Sequence, residues 1–154
     1  MAVNGYSTQE VIEEELPALV SFAPSFVTLA IGANDIVRGR GPDDYRANVR
    51  RIVRAVAAAG PRRLVALPQP DWSRSPVAAG FGDPAALRAS IDLYNTILRQ
   101  ETTAAGGTFV DLFPLMEQQA QAGMIARDGL HPSAAAHDAW AAELSERGAV
   151  PCGR

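Results

Sequence analysis

The stretch FVTLAI, Phe26–Ile31, followed at once by GAND, Gly32–Asp35, decides the fold. Its first six residues form a nearly continuous apolar run, which is typical of a strand that is buried on both faces of a sheet. Two shorter apolar runs, Leu64–Leu67 and Thr108–Leu112, follow further along the chain. These three runs predict the strands of one sheet.

Amphipathic helices are predicted before, between and after these strands. Four of them begin at or near capping residues and prolines: Ser7 with Glu10, Pro42, Pro84 and Ser133. A short helix is also predicted near Leu115–Ala122. Within the first helix, Pro17 predicts a kink, or a break with a restart, because proline cannot donate an intrahelical hydrogen bond. Gly60 and Pro61 are predicted to stop the second helix.

The alternation of helices and strands, without internal repeats, predicts one α/β domain over residues 1–154. Helices of this length imply right-handed crossovers and a doubly wound parallel sheet that is covered on both faces. One connection, Gln69–Asp83, is longer than most loops inside compact domains, and such loops are usually functional or mobile. Its aromatic residues Trp72 and Phe81 either line an acyl pocket or cover the core.

Composition excludes several classes of protein. The 154 residues carry 14 basic and 17 acidic side chains, a net charge of -3, which argues against nucleic acid as a partner. The single cysteine, Cys152, excludes an internal disulfide and a cysteine-cluster metal site. No apolar stretch approaches the roughly 20 residues of a membrane span. The first residues lack the pattern of a signal peptide, and a cytoplasmic and a secreted location both remain open.

Three polar groups lie at or near the carboxyl ends of the predicted strands, where ligands bind in sheets of this kind. They are Gly32–Asp35, the long loop after Pro68, and Asp128–Pro132 downstream of the third strand. In Asp128–Pro132, an aspartate stands three residues before His131 with a turn-forming glycine between them. Asp128 can therefore hold the imidazole Nδ1 and leave Nε2 free as a general base. In the first group, the side-chain N–H of Asn34 can stabilise an oxyanion, as a glycine backbone N–H can.

Simpler interpretations of these residues stay open. Gly32–Asp35 and Asp128–Pro132 can each be a plain turn, since Asn, Asp and Gly stabilise turns. His137 is interpreted as an ordinary helix residue. A metal site built from Asp35, Asp128, His131 and His137 lacks a recognisable ligand spacing. We predict neither a metal nor a cofactor.

The sequence resembles the SGNH hydrolases, a branch of the GDSL lipase/esterase superfamily. Gly32–Asp35 resembles the G-x-N-D block of that family, and Asp128–Pro132 resembles its D-x-x-H-P block. Asn4–Thr8 is similar to the block whose glycine lies upstream of the asparagine. The resemblance extends from about Val3 to Trp140, nearly the whole chain.

This resemblance implies the three-layer, flavodoxin-like fold of the family and the hydrolysis of acyl esters by a Ser-His-Asp triad. It implies that Asn34 and Gly5 are oxyanion-hole donors. It implies that Asp128 orients His131, which is the general base, and that a small-molecule ester is the substrate.

The sequence departs from the family at the nucleophile. The family begins with a strand that ends in a Gly-Asp-Ser block, and this sequence contains no such block. The resemblance therefore implies a domain that lacks the first strand, helix and strand, in which Phe26–Ile31 has an unpaired edge. The nucleophile is unidentified, with Ser73 or Ser75 as possible relocated hydroxyls.

Two functional hypotheses follow. The first is an ester hydrolase of the SGNH type that is weak or inactive without its serine. The second is a catalytically silent α/β domain that binds acyl or glycan ligands, or nothing. On either hypothesis we expect the chain to form a homo-oligomer through Phe26–Ile31.

Overall fold

The computed structural model describes residues 3–60 and 63–150, in which three parallel strands carry helices on both faces. The strands are β1 (Phe26–Leu29), β2 (Arg63–Ala66) and β3 (Thr108–Phe109), in the order β1-β2-β3. Val27 lies opposite Leu64, and Val65 lies opposite Thr108. The predicted doubly wound α/β fold is confirmed.

The helices of the described residues follow the predicted order, with one additional short helix between the first two. Helix α1 has three segments, Thr8–Glu10, Val11–Glu15 and Leu16–Phe22. The others are α2 (Ala33–Val37), α3 (Pro42–Ala58), α4 (Pro84–Ala104), α5 (Phe113–Gln121) and α6 (Ala134–Glu146). None of these helices combines the length and the apolar character that crossing a membrane requires.

The break predicted in α1 takes the form of a π-helical segment. Val11–Glu15 is π-helical, with the N–H of Leu16 donating to the carbonyl of Val11, and Pro17 opens the α-helical segment that follows. The wider turn suits this position because a proline ring clashes with the carbonyl four residues before it in a regular α-helix.

Several boundaries differ from the predictions. β1 ends at Leu29 rather than Ile31, and β3 has two residues rather than five. The helix α2 was not predicted, because its residues are mostly those of a polar turn motif. Pro61 and Cys152 lie outside the described residues.

Each face of β2 packs against a separate set of helices. Leu64 and Ala66 join a cluster of buried residues from α1, α3 and α4. Val65, on the opposite face, joins a cluster with Met116 of α5 and Leu144 of α6. Parallel sheets are covered on both faces in this way.

Strand β1 is less buried than the sequence predicts. Leu29 is buried, but Thr28 and the following Ala30 are exposed, so the expectation of a strand buried on both faces is wrong at these positions. No described residue forms a strand on the free side of β1. Val20 and Phe22, near the end of α1, are 80% and 66% exposed. This side of the sheet is an open edge.

Candidate active site

The turn between α5 and α6 holds Asp128 and His131 in direct contact. Asp128 Oδ2 lies 2.7 Å from His131 Nδ1, and Asp128 Oδ1 accepts the N–H groups of Leu130 at 2.9 Å and His131 at 3.0 Å. The Leu130 backbone N–H and then the His131 ring lower the pKa of Asp128 to about 2. Since a carboxylate only accepts, Nδ1 of a neutral His131 carries the proton and Nε2 keeps a free lone pair.

Backbone contacts fix this turn on both sides. Gly129 has a φ of 74°, in the left-handed region that glycine adopts easily. The N–H of Ala126 donates to the carbonyl of His131 at 2.7 Å, and the N–H of Ser133 donates to that of Met124 at 2.9 Å. These two hydrogen bonds join the segments on either side of the turn. The side chain of His131 is 61% exposed.

The other predicted block, Gly32–Asp35, begins helix α2. Gly32 is its N-cap, with a φ of 132°. A Cβ at this position would lie 2.9 Å from the hydroxyl oxygen of Tyr45 and 3.0 Å from Nε2 of Gln69. Only glycine fits so close to these groups. This close packing fixes the position of the backbone from which the Asn34 side chain extends.

The two N–H groups predicted as oxyanion-hole donors belong to the side chain of Asn34 and the backbone of Gly5. Asn34 Nδ2 donates one hydrogen to the carbonyl of Tyr6 at 3.0 Å, which orients the amide and leaves its second hydrogen available. The carbonyl of Gly5 accepts a hydrogen bond from Arg38 at 2.8 Å. Within residues 3–60 and 63–150 the N–H of Gly5 has no acceptor.

Asp35 holds the two segments that carry these donors. Its side chain is fully buried, and it accepts hydrogen bonds from the Thr8 N–H at 2.9 Å and the Thr8 hydroxyl at 2.5 Å. Arg40 Nε lies 2.8 Å from the same carboxylate. Sequence analysis considered Asp35 as a turn residue or a metal ligand and did not identify this structural role.

A pocket of about 380 Å³ is lined by His131 and Asn34, together with Trp72, Phe81 and Trp140. Trp72 lines this pocket and also packs in a buried cluster, so it covers part of the core, while the acyl nature of the pocket stays a prediction.

A groove of about 450 Å³ shares Asn34 and Trp140 with the pocket. Gly5 and residues of the open β1 edge, among them Thr28, line this groove. Asn34 therefore lines both spaces: the pocket also contains His131, the candidate general base, and the groove also contains Gly5, the second candidate donor.

The wall formed by residues 69–83 is anchored by hydrogen bonds and ion pairs. Trp72 Nε1 donates to Gln69 Oε1 at 3.0 Å. The buried carboxylate of Asp71 pairs with Arg74 at 3.1 Å and with Arg88 of α4 at 2.9 Å. These contacts give the aromatic wall of the pocket a fixed position.

Sequence analysis missed His137 as a pocket residue. His137 lines the same pocket as His131, and its ring lies 4.6 Å from that of Trp140. A separation of three residues places His137 and Trp140 on one face of α6. That spacing, directly after the D-x-x-H-P block, was the available signal.

The pocket offers no hydroxyl or thiol nucleophile from the described residues that line it. Ser73 is buried and donates to Asp71, and Ser75 is also buried. Among residues 3–60 and 63–150, no cluster of three or more histidine, cysteine, aspartate or glutamate side chains is arranged to hold a metal ion.

The sequence matches the GDSL-like lipase/acylhydrolase family over residues 1–139. A similar solved structure is LAE5, an alpha/beta hydrolase enzyme from the metagenome of Lake Arreo, Spain, with a TM-score of 0.74 and 22% identity, covering 96% of this chain and 71% of that chain. No curated protein sequence matches significantly.

Another similar structure is Axe2, an acetylxylan esterase from Geobacillus stearothermophilus. Its TM-score is 0.73 at 22% identity, and the match covers 92% of this chain and 68% of that chain. Solved catalytic mutants of Axe2 replace a serine, an aspartate and a histidine. At this identity the two solved structures show the shared fold.

Proposed function

Because the chain belongs to the GDSL-like lipase/acylhydrolase family, we propose that it carries the general base and the oxyanion hole of an ester hydrolase. The observation that carries this proposal is the 2.7 Å contact between Asp128 Oδ2 and His131 Nδ1, in a turn whose histidine shares a pocket with Asn34. An oriented imidazole beside an amide donor is the arrangement that acyl transfer requires.

In this mechanism His131 moves one proton twice. Its Nε2 takes the proton from the attacking hydroxyl as the oxygen bonds to the acyl carbon, and then gives it to the alcohol oxygen as the ester C–O bond breaks. Asp128 stabilises the imidazolium that forms in between. Asn34 Nδ2 and the N–H of Gly5 donate to the acyl oxygen while it is negatively charged. Water then releases the acyl group by the same steps.

The nucleophile in this proposal is a serine on a strand that pairs with the open edge of β1. The sequence contains no Gly-Asp-Ser block. The groove along that edge is lined by Gly5 and Asn34, the two proposed oxyanion donors, so a serine arriving there would reach the same acyl carbon. The 154-residue chain by itself is therefore proposed to be a weak catalyst.

The spacing of the catalytic residues in Axe2 supports the assignment of the base. The aspartate and the histidine replaced in its catalytic mutants stand three residues apart, as Asp128 and His131 do here. Axe2 acts on acetylated xylan by its description. We therefore propose short acyl esters, acetyl esters among them, as the substrate class.

The test is the hydrolysis of p-nitrophenyl acetate by the chain as it exists. We expect a small acceleration, at most about 10³–10⁴ over water, which is what oxyanion holes and binding retain without the nucleophile. Without the serine, His131 Nε2 can take a proton only from a water molecule that attacks the acyl carbon. His131→Ala should therefore lower the rate to what the oxyanion hole and binding alone give, and Asn34→Ala should lower it about 10²-fold or more because one oxyanion donor is lost.

Asp128→Asn tests whether His131 acts as a base only when Asp128 holds its Nδ1. It should reduce the rate strongly, since the wrong tautomer is then held; an unchanged rate would contradict the proposal. Ser73→Ala and Ser75→Ala are the controls and should leave the rate unchanged. Turnover of about 1 s⁻¹ or more, in the range of complete enzymes, would contradict the absence of a nucleophile, as would labelling of a serine by a fluorophosphonate.

A second candidate function is favoured by the open edge of β1. Thr28 and Ala30 are exposed there beside unpaired backbone groups, which suits a catalytically silent domain that associates through this strand. Hydrolysis that is independent of His131, together with a stable dimer, would favour this alternative.

A further inference from the structure

Arg38 connects the two segments that carry the proposed oxyanion donors. It is the residue directly after α2, and its backbone N–H donates to the carbonyl of Asn34 at 3.1 Å. At the end of its side chain, Nη2 donates to the carbonyl of Gly5 at 2.8 Å. One residue is therefore bonded to the backbones of both Asn34 and Gly5, which lie far apart in the sequence.

The second arm of this guanidinium is held by Glu10. Arg38 Nη1 lies 2.5 Å from Glu10 Oε1, and Glu10 Oε2 accepts the N–H of Ser7 at 2.8 Å. A planar guanidinium presents its donors in a fixed fork, so an acceptor on one arm sets the direction of the other arm. The direction of Nη2 toward Gly5 is therefore set by the start of α1.

The turn that contains Gly5 is weakly held by its own contacts. Asn4 and Gly5 are its central residues, and its closing hydrogen bond, from the N–H of Tyr6 to the carbonyl of Val3, is long at 3.4 Å. Glycine also restricts its backbone angles less than any other residue. The hydrogen bond from Arg38 is the one that the Gly5 backbone makes within residues 3–60 and 63–150.

Arg38 lies outside the spaces that a substrate can enter at this site. It lines neither the pocket that contains His131 nor the groove that contains Gly5 and Asn34. Its effect on the site must therefore pass through the backbone of Gly5. Its side chain is 48% exposed, and exposed ion pairs contribute little to stability, so the fold should survive its replacement.

We propose that Arg38 is a positioning residue: by holding the Gly5 carbonyl, it keeps the N–H of Gly5 directed at the acyl oxygen that Asn34 Nδ2 also reaches. This inference rests on the proposed ester hydrolysis. Donors stabilise an oxyanion in the transition state only where they are already in place around it. A Gly5 N–H that moves freely would therefore still be present but would stabilise the transition state less.

The experiment compares Arg38→Met with Arg147→Met in the 154-residue chain. Arg147 is a matched control, because it too is an exposed arginine that pairs with a glutamate, Glu143, and donates to a backbone carbonyl, that of Asp111. In the hydrolysis of p-nitrophenyl acetate, Arg38→Met should lower kcat about 10-fold, less than the loss of a whole donor, and leave KM unchanged. Arg147→Met should change neither constant.

A spectroscopic measurement follows the position of Gly5 without catalysis. The ¹⁵N order parameter of the Gly5 amide should be about 0.85 in the unaltered chain and in Arg147→Met, and should fall toward about 0.6 in Arg38→Met. Arg38→Lys keeps the charge, but a compact ammonium lacks the fork that spans Gly5 and Glu10. It should therefore recover only part of kcat and part of the order at Gly5.

An unchanged kcat, or unchanged order at Gly5, in Arg38→Met would overturn the inference. The hydrolase itself would still stand if Asn34→Ala and His131→Ala lower the rate as expected. Equal losses of kcat in Arg38→Met and Arg147→Met would also overturn the inference, because the effect would then be a general one of losing a surface arginine. Hydrolysis that depends on neither His131 nor Asn34 would contradict the proposed function, and with it the role of Arg38 in catalysis, even if Gly5 loses order.

Discussion

Asp35 is one residue that joins two segments far apart in the sequence. Its buried carboxylate binds the N–H and the hydroxyl of Thr8, 27 residues away, and pairs with Arg40. Thr8 starts α1 directly after the loop that contains Gly5, and Asp35 directly follows Asn34. The distance between the two proposed oxyanion donors therefore depends on this carboxylate.

Replacing Asp35 by alanine should destabilise the fold strongly. The change leaves the buried Thr8 N–H without its acceptor and Arg40 without the carboxylate of its ion pair, and removing one partner of a buried pair typically costs about 3–5 kcal/mol. Urea unfolding measures the change. Glu143→Gln is the control, since the ion pair of Glu143 with Arg147 is exposed and such pairs contribute about 1 kcal/mol or less. Similar losses for both variants would contradict the role given to Asp35.

Residues whose role depends on local spacing were predictable, and residues whose role depends on packing were not. The contact between Asp128 and His131 follows from three residues of turn with a glycine inside. The contact of Asp35 with Thr8 depends on how α1 packs against α2, which no local pattern encodes. The place of His137 in the pocket likewise depends on how α6 lies against the loop of residues 69–83.

At the scale of secondary-structure elements, the helices follow the sequence more closely than the strands do. Prolines and capping residues mark helix starts locally, as Ser133 does for α6. Strand length depends on partners: β3 has two residues because its pairing with β2 ends there, although the N–H of Val110 still donates to the carbonyl of Ala66 at 2.9 Å. An apolar run shows where a strand lies but does not fix its length.

The capping box of α1 predicts a pH-dependent effect of Ser7→Ala. Glu10 Oε2 accepts from the Ser7 N–H at 2.8 Å and from its hydroxyl at 2.6 Å, and the hydroxyl is the main cause that lowers the pKa of Glu10 from 4.5 to about 2. A lowered pKa stabilises the folded state above the unfolded value. This contribution is lost as the pH falls through about 2.

The loss of stability in Ser7→Ala, about 1 kcal/mol for an N-cap, should therefore be full near neutral pH and should shrink as the pH falls below 4.5. Urea unfolding across this range measures it. Ser133→Ala is the matched control: Ser133 caps α6 through the N–H of Ala136 and has no glutamate at the third helical position. An acid-sensitive effect at Ser133, or none at Ser7, would contradict the capping-box explanation.

At the scale of the whole molecule, the sheet is covered unevenly. β2 is buried on both faces. On β1, Phe26 packs against the cluster of α5 and α6, but Thr28 on the same face is exposed, and β1 has no strand partner on its free side among the described residues. The exposed side chain of Phe22 lines a groove together with Phe26–Leu29 of β1. Exposed edges and apolar side chains of this kind favour pairing with another chain.

We therefore expect the 154-residue chain to self-associate at micromolar concentration, most simply as a two-fold dimer joined along β1. Sedimentation measures the mass, and amide exchange of residues 27–31 reports on pairing. Thr28→Lys places a charge on the exposed face of the edge strand and should shift the equilibrium toward monomer. Thr96→Lys, at an exposed position of α4, introduces the same charge away from the edge and should not. A stable monomer with slow exchange at residues 27–31 would contradict this expectation, because the backbone groups of β1 would then be protected without a second copy.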